Sequence, residues 1–124
     1  MDTVIAVPSS PPGGLEAGLG AHFGHCEVYT LVSVEDNQVK KVDIIPGVEH
    51  SQGGCMVPVN YLADKGANML IAGGMGLRPL MGFQQVGIEV YYGGQAVTVG
   101  DAVNALLQGK LPRFSQENTC GGGH

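Results

Sequence analysis

Met69-Leu70-Ile71-Ala72-Gly73-Gly74-Met75-Gly76-Leu77-Arg78-Pro79-Leu80, continuing through Val86 to Gly87-Ile88-Glu89-Val90-Tyr91-Tyr92, is the stretch whose reading decides the fold. Met69 to Ala72 is a short apolar run closed by glycines, which reads as a buried strand. Arg78 to Val86 reads as a short helix. Pro79 suits its first turn, where a missing N–H costs nothing, and Gly87 stops it. Ile88 to Tyr92 is then a second strand, and a right-handed crossover through the helix makes the two strands parallel. A chain built this way is α/β.

Working outward, Met56 to Lys65 has helical apolar spacing (Met56, Val59, Leu62, Ala63) and stops at Gly66. Downstream, Thr98-Val99-Gly100-Asp101 resembles a capping box ahead of Ala102, Val103, Leu106 and Leu107, with Gly109 as the stop. Toward the N-terminus, Val4 to Val7 is a β-branched run ended by Pro8. Glu27 to Val34 alternates, Glu35-Asp36-Asn37-Gln38 makes a turn, and Val39 to Ile45 returns as the second arm of an antiparallel hairpin closed by Pro46-Gly47. The order is β-β-β-α-β-α-β-α, within a single domain over residues 1–109, followed by a tail over 110–124. Counting strand directions brings the loops 8–26, 47–55, 73–78 and 93–98 to one edge of the sheet. In open α/β sheets that edge is where ligands sit.

The 124 residues are 44% hydrophobic and 14% charged, which excludes intrinsic disorder. Glycine is the outlier: 21 residues, clustered at 13–14, 53–54, 73–76, 93–94 and 121–123, well above the ~7% of an average protein. The clusters have no period of three, so collagen is excluded, and four of the five fall in the converging loops. A net charge of −5 with six scattered basic residues argues against a nucleic-acid surface. No apolar run is long enough to span a membrane and the N-terminus lacks a signal-peptide pattern, so the expected compartment is the cytoplasm. Three cysteines far apart in sequence, at 26, 55 and 120, point to free thiols rather than a disulfide framework.

Every histidine lies within five residues of a cysteine: His22 and His25 near Cys26, His50 near Cys55, His124 near Cys120. Thiolate and imidazole suit copper, zinc, iron or metal sulfides. The bland alternative is small core thiols with surface imidazoles. Without a C-x-x-C pair a zinc finger is a weak reading. Cys55 falls at the start of the first helix, where the dipole stabilises a thiolate, against the alternative of a packing thiol. The 73–79 loop is neither a dinucleotide fingerprint nor a Walker motif. Its backbone N–H groups and Arg78 can hold an anion, though a tight turn alone would also call for the glycines. Met56, Met75 and Met81 lie in or near these loops, as pocket lining or as core. The loops hold few carboxylates, which disfavours metal-dependent phosphoryl hydrolysis, and no Ser-His-Asp elbow is present.

His22-Phe23-Gly24 ahead of a strand, His50 with Gly53-Gly54-Cys55-Met56, Gly73 through Leu80, and Gly87-Ile88-Glu89-Val90-Tyr91 together resemble the dinitrogenase iron-molybdenum cofactor biosynthesis family of NifB/NifX-like cluster-binding proteins, over residues 3 to about 111. Cys26 and the Cys120 to His124 ending resemble the orange-protein branch. The resemblance implies a ribonuclease-H-like three-layer fold with a mixed five-stranded sheet in the order 3-2-1-4-5, strand 2 antiparallel, and about three helices. It implies a molybdenum-containing metal-sulfur cluster as guest, of the Mo-Cu sulfide or Fe-Mo type, with copper or iron as the second metal. It makes a MinD/Mrp-type P-loop ATPase a candidate partner. Nothing matches the radical-SAM portion of NifB, so cofactor synthesis is not implied.

The expected role is therefore a small, non-catalytic carrier of such a cluster, with no nucleic-acid or membrane partner. The alternative is a regulatory subunit docking on the ATPase; a nuclease suggested by fold alone is a third, weaker reading. The residues expected to bind the cluster are His22, Phe23, Gly24, Gly53, Gly54, Cys55, Met56, Gly73, Gly74, Met75, Gly76 and Arg78. Candidate metal ligands are Cys26, His50, Cys55, Cys120 and His124.

Overall fold

The computed structural model describes residues 3–18, 28–46, 56–72, 77–93 and 96–114, with the backbone alone described at 56–58 and 77–79. The elements follow the expected order: β1 (Thr3–Ser9), β2 (Val28–Glu35), β3 (Gln38–Pro46), α1 (Met56–Asp64), β4 (Met69–Ala72), α2 (Leu77–Val86), β5 (Glu89–Tyr92) and α3 (Val99–Leu107). They form one five-stranded sheet in the order β3-β2-β1-β4-β5. β2 is antiparallel to both its neighbours, while β1, β4 and β5 run parallel. This is the mixed 3-2-1-4-5 sheet expected.

Local chemistry sets the boundaries. Asp36 and Asn37 both take positive φ, 54° and 62°, as a two-residue type I′ hairpin turn requires, and both side chains tolerate that region better than most. All three helices end alike. Gly66, Gly87 and Gly109 adopt φ between 73° and 86°, and the residue after each donates its N–H five residues back: Ala67 to Leu62, Ile88 to Phe83, Lys110 to Ala105. That is the Schellman motif, and it explains three glycines by backbone geometry alone. β1 continues through Pro8 to Ser9, further than Pro8 alone would suggest. Pro8 lies beyond Ile5 and Ala6, the two residues paired with β4, at a strand end where a missing N–H is tolerated.

The sheet is covered on both faces, giving three layers. Alternate residues of its strands (Ala6, Leu31, Leu70, Val90) pack with Val59 and Leu62 of α1 and Leu80 and Phe83 of α2. The opposite set (Ile5, Val7, Val32, Ile71) packs with Val99, Ala102 and Val103 of α3. β4 is apolar throughout because both its faces are buried. Past α3 the chain returns to the sheet. The Tyr92 N–H donates to the Pro112 carbonyl at 2.9 Å, the Phe114 N–H donates to the Val90 carbonyl at 2.8 Å, and Phe114 is buried. Residues 112–114 thus pair antiparallel with β5.

Candidate functional site

Strand directions place the C-terminal ends of β1, β3, β4 and β5, and the N-terminal end of β2, at one edge. Ser9, Val28 and Pro46 are in register there, and Ala72 is level with Tyr92. The connections 10–27, 47–55, 73–76 and 93–98 all depart from this edge, and all three helices begin at it. Met56 and Arg78 are placed by backbone: Met56 opens α1 and Arg78 is the second residue of α2. His22, Phe23, Gly24, Cys26, His50, Gly53, Gly54, Cys55, Gly73, Gly74, Met75, Gly76, Cys120 and His124 lie outside the described residues.

The three helix starts differ. α3 is closed. Thr98 caps it, its Oγ1 accepting the Asp101 N–H at 3.1 Å, and the Val99 and Gly100 N–H groups donate to the Ala17 and Leu15 carbonyls at 2.9 and 2.7 Å. Gly100 permits this approach, since a Cβ there would lie 3.1 Å from the Leu15 oxygen. Asp101 adds a carboxylate in the first turn. The start of α3 therefore has its donors used and its dipole answered. α1 and α2, on the other face of the sheet, carry no acid in the first turn, and α2 carries Arg78. Two helix starts, running parallel and with no first-turn acid, thus share one face at this edge, and the second has Arg78 as its second residue.

The segment 10–18 straps the α3 side of the edge. Gly18 bridges to Thr98, and the Ser10 N–H donates to the Gly18 carbonyl at 3.0 Å. A buried hydroxyl pair pins the strap. Ser9 Oγ donates to the Val7 carbonyl at 2.6 Å and lies 2.8 Å from Thr30 Oγ1, which accepts the Gly14 N–H at 3.1 Å. Since a carbonyl can only accept, the Ser9 proton is committed to Val7 and Thr30 must donate to Ser9. The result is a one-directional chain, Gly14 N–H to Thr30 to Ser9 to Val7, crossing from the strap through β2 to β1. Sequence reasoning missed both residues. The signal was a threonine at the core-facing start of an apolar strand and a serine directly after Pro8.

Among the described residues no three His, Cys, Asp or Glu side chains come close enough to share a metal ion. A cleft of about 520 Å³ opens beside β5, bounded by Gly93, Val97, Asp101 and Lys110. Another of about 310 Å³ lies at the far end of the sheet under Leu106 and Leu107. On β5, the Tyr91 hydroxyl donates to Glu89 Oε1 at 2.8 Å, and the Arg113 guanidinium lies over the Tyr91 ring, 5.6 Å from its centre. The bond to Glu89, then burial and the Glu89 charge, hold the Tyr91 phenol above its ordinary pKa, with Arg113 opposing. No helix among the described residues is long and apolar enough to cross a membrane.

The fold is a small three-layer α/β domain on a mixed five-stranded sheet, whose strand ends bring four connections to one edge. The family model for the dinitrogenase iron-molybdenum cofactor matches residues 1–109, and the chain belongs to that family. It is 29% identical over 98 residues to the Methanocaldococcus jannaschii protein MJ0580, covering 77% of this chain and 82% of that one. Its structure is similar to that of PH0822, at 27% identity, TM-score 0.74, and coverage of 90% of this chain and 96% of the other. It is also similar to the apo form of the orange protein from Desulfovibrio gigas, at 25% identity, TM-score 0.74, and coverage of 91% and 93%.

Proposed function

We propose that the chain is a non-catalytic carrier of an anionic molybdenum-containing metal-sulfur cluster, of the Mo-Cu sulfide or Fe-Mo type, bound at the α1/α2 side of the sheet edge. The observation that carries this reading is the asymmetry of the edge. The start of α3 is capped, strapped and acidic, whereas the first turns of α1 and α2 carry no acid and Arg78 is the second residue of α2. Family membership supplies the class of guest. A thiometallate brings its own sulfides, so the protein need provide only N–H donors, a cation and a dry wall, rather than a full ligand set. The residues assigned to it are His22, Phe23, Gly24, Gly53, Gly54, Cys55, Met56, Gly73 to Gly76 and Arg78, with Cys26, His50 and Cys55 as candidate direct ligands.

Cys120 and His124, the remaining candidate ligands, follow Phe114 in sequence and lie outside the described residues. Anaerobic incubation with tetrathiomolybdate and cuprous or ferrous ion, followed by gel filtration, metal analysis and visible absorption, tests the proposal. A coloured stoichiometric complex weakened by Cys55→Ser or His22→Ala is expected; no complex surviving the column refutes it. A metal-free chain that binds a MinD/Mrp-type ATPase at full affinity would favour the regulatory alternative.

A further inference from the structure

We infer that the outer edge of β3 is an interface for a second copy of this chain, the two strands pairing antiparallel about a two-fold axis at Val42. The two ends of the sheet are treated differently. At β5 the outer edge is taken by residues 112–114, through the Tyr92 and Phe114 N–H groups. At β3, the longest strand of the sheet, no further strand lies along the outer edge among the described residues. A bare strand edge is a row of N–H and C=O groups ready to template another chain. β3 also holds two exposed large apolar side chains, Val39 and Ile44. Their register with Val34 and Thr30, and that of Val42 with Val32, puts all three on the face that α3 packs against, where they form an apolar strip.

Charge selects the occupant and the register. Neighbouring residues of a strand turn their N–H and C=O groups to opposite edges, so a two-fold antiparallel pair is centred on a residue and never between two. Centred on Lys41 it sets two ammonium groups opposite each other, and centred on Asp43 two carboxylates. Centred on Ile44 it gives neither charge an opposite partner. Centred on Val42 it sets Lys41 opposite Asp43 of the second copy, twice. Within one strand these two side chains already lie 3.5 Å apart, on the α1/α2 face beside Ser33 and Leu31. The paired strands therefore gather four charges of alternating sign, while Val42 meets its own copy on the opposite face. Lysines and a bulge at an edge commonly discourage pairing; here the charges oppose the neighbouring registers and match the one at Val42. The bulge at Lys40, where the register steps from Ser33 opposite Lys41 to Val34 opposite Val39, confines regular pairing to Lys41 onward. With the β5 edge covered, a two-fold pair leaves no edge for a third copy, so association closes at two.

The test is sedimentation equilibrium of the metal-free full chain from about 10 μM to about 1 mM, the range of a weak contact. A monomer–dimer equilibrium that salt weakens is expected. Asp43→Lys and Lys41→Asp each turn two attractive pairs into two repulsive ones and should weaken the dimer roughly tenfold or more. Both side chains are exposed, so neither substitution reaches the core, and far-ultraviolet circular dichroism checks the fold. Mixed in equal amounts, the two single variants are complementary across the edge and should associate with each other. Combining both substitutions in one chain should restore the dimer. Should one single variant fail to fold, the other and the double variant carry the comparison. A wild-type chain monomeric throughout the range leaves the edge to some other strand and overturns the inference. So does a dimer indifferent to both substitutions, a pair of variants that stay apart on mixing, or an assembly that grows beyond two copies. Tetrathiomolybdate uptake plays no part in these outcomes, so the functional reading stands or falls separately.

Discussion

Ending the chain after Gly109 removes Pro112 to Phe114 and bares the outer edge of β5. Phe114 is 4% exposed, sits within the core shared with Leu70 and Phe83, and meets Tyr92 edge to face with ring centres 5.7 Å apart. Deleting a buried phenylalanine costs about 3–5 kcal/mol, and the aromatic pair lies within that figure rather than on top of it. Two backbone bonds to β5 are lost as well, but their N–H and C=O groups on the strand become exposed to water, which limits their share. Taking 3.5 kcal/mol as a working value, and about 2.1 cal/mol/K of unfolding entropy per residue, the midpoint falls by ~13 °C for a chain this long. The assay is thermal unfolding of four chains: full length, ending at 114, ending at 109, and full length with Phe114→Ala. The chain ending at 114 should melt with the full-length protein, and the other two should melt well below it. A chain ending at 109 that melts within about 3 °C of full length would refute the assignment of Phe114 to the core.

Tyr91 makes stability sensitive to alkaline pH. Its folded-state pKa is raised, so the neutral phenol's contribution is complete below the unfolded value of ~10 and is lost as pH climbs through the folded value; Tyr91→Phe should flatten the fall in denaturation midpoint between pH 9 and 11, and an unchanged slope would contradict the Glu89 bond as its cause. Asn37→Gly relieves a residue held at φ 62° and should raise the melting temperature by about 2 °C, through ~0.5 kcal/mol, whereas Asn37→Val should lower it. Arg78→Ala should weaken tetrathiomolybdate binding by about 10- to 100-fold, the value of a charge-assisted contact, and reduce its salt dependence; equal affinity at low salt would argue against an anionic guest at α2.

Most of the architecture was legible because it rests on local chemistry. The strand-glycine-helix-glycine-strand run from Met69 to Tyr92, the Asp36-Asn37 turn and the stops at Gly66, Gly87 and Gly109 each declare themselves within a few residues, and the structure uses them as read. What escaped was long-range. Pro112 to Phe114 offers no alternation and begins with a proline, so only the unpaired outer edge of β5 explains why it lies where it does. Ser9 and Thr30 are 21 residues apart, and their pairing follows from the β1/β2 register rather than from either neighbourhood. The candidate site was legible as a location: strand directions alone put its loops at one edge. The side chains assigned to it were legible only as types and spacings, because glycine-rich loops carry neither a hydrophobic period nor propensities from which to build.

The glycine excess therefore separates into kinds with different causes. Gly66, Gly87 and Gly109 end helices at the far side of the sheet, and Gly100 admits the Leu15 carbonyl to the start of α3. Neither use needs a guest. The clusters at 53–54 and 73–76 lie outside the described residues; in sequence they precede α1 and α2, whose first turns lack acids. A helix start that only had to be satisfied could be closed as α3 is, by a capping hydroxyl, a first-turn carboxylate and two borrowed carbonyls. That solution is available in the same chain, at the same edge, some 20 residues on from α2. Under the proposed function, the first-turn acid of α3 and the lack of one in α1 and α2 suit an anionic guest on the α1/α2 side, because a carboxylate at those starts would repel it.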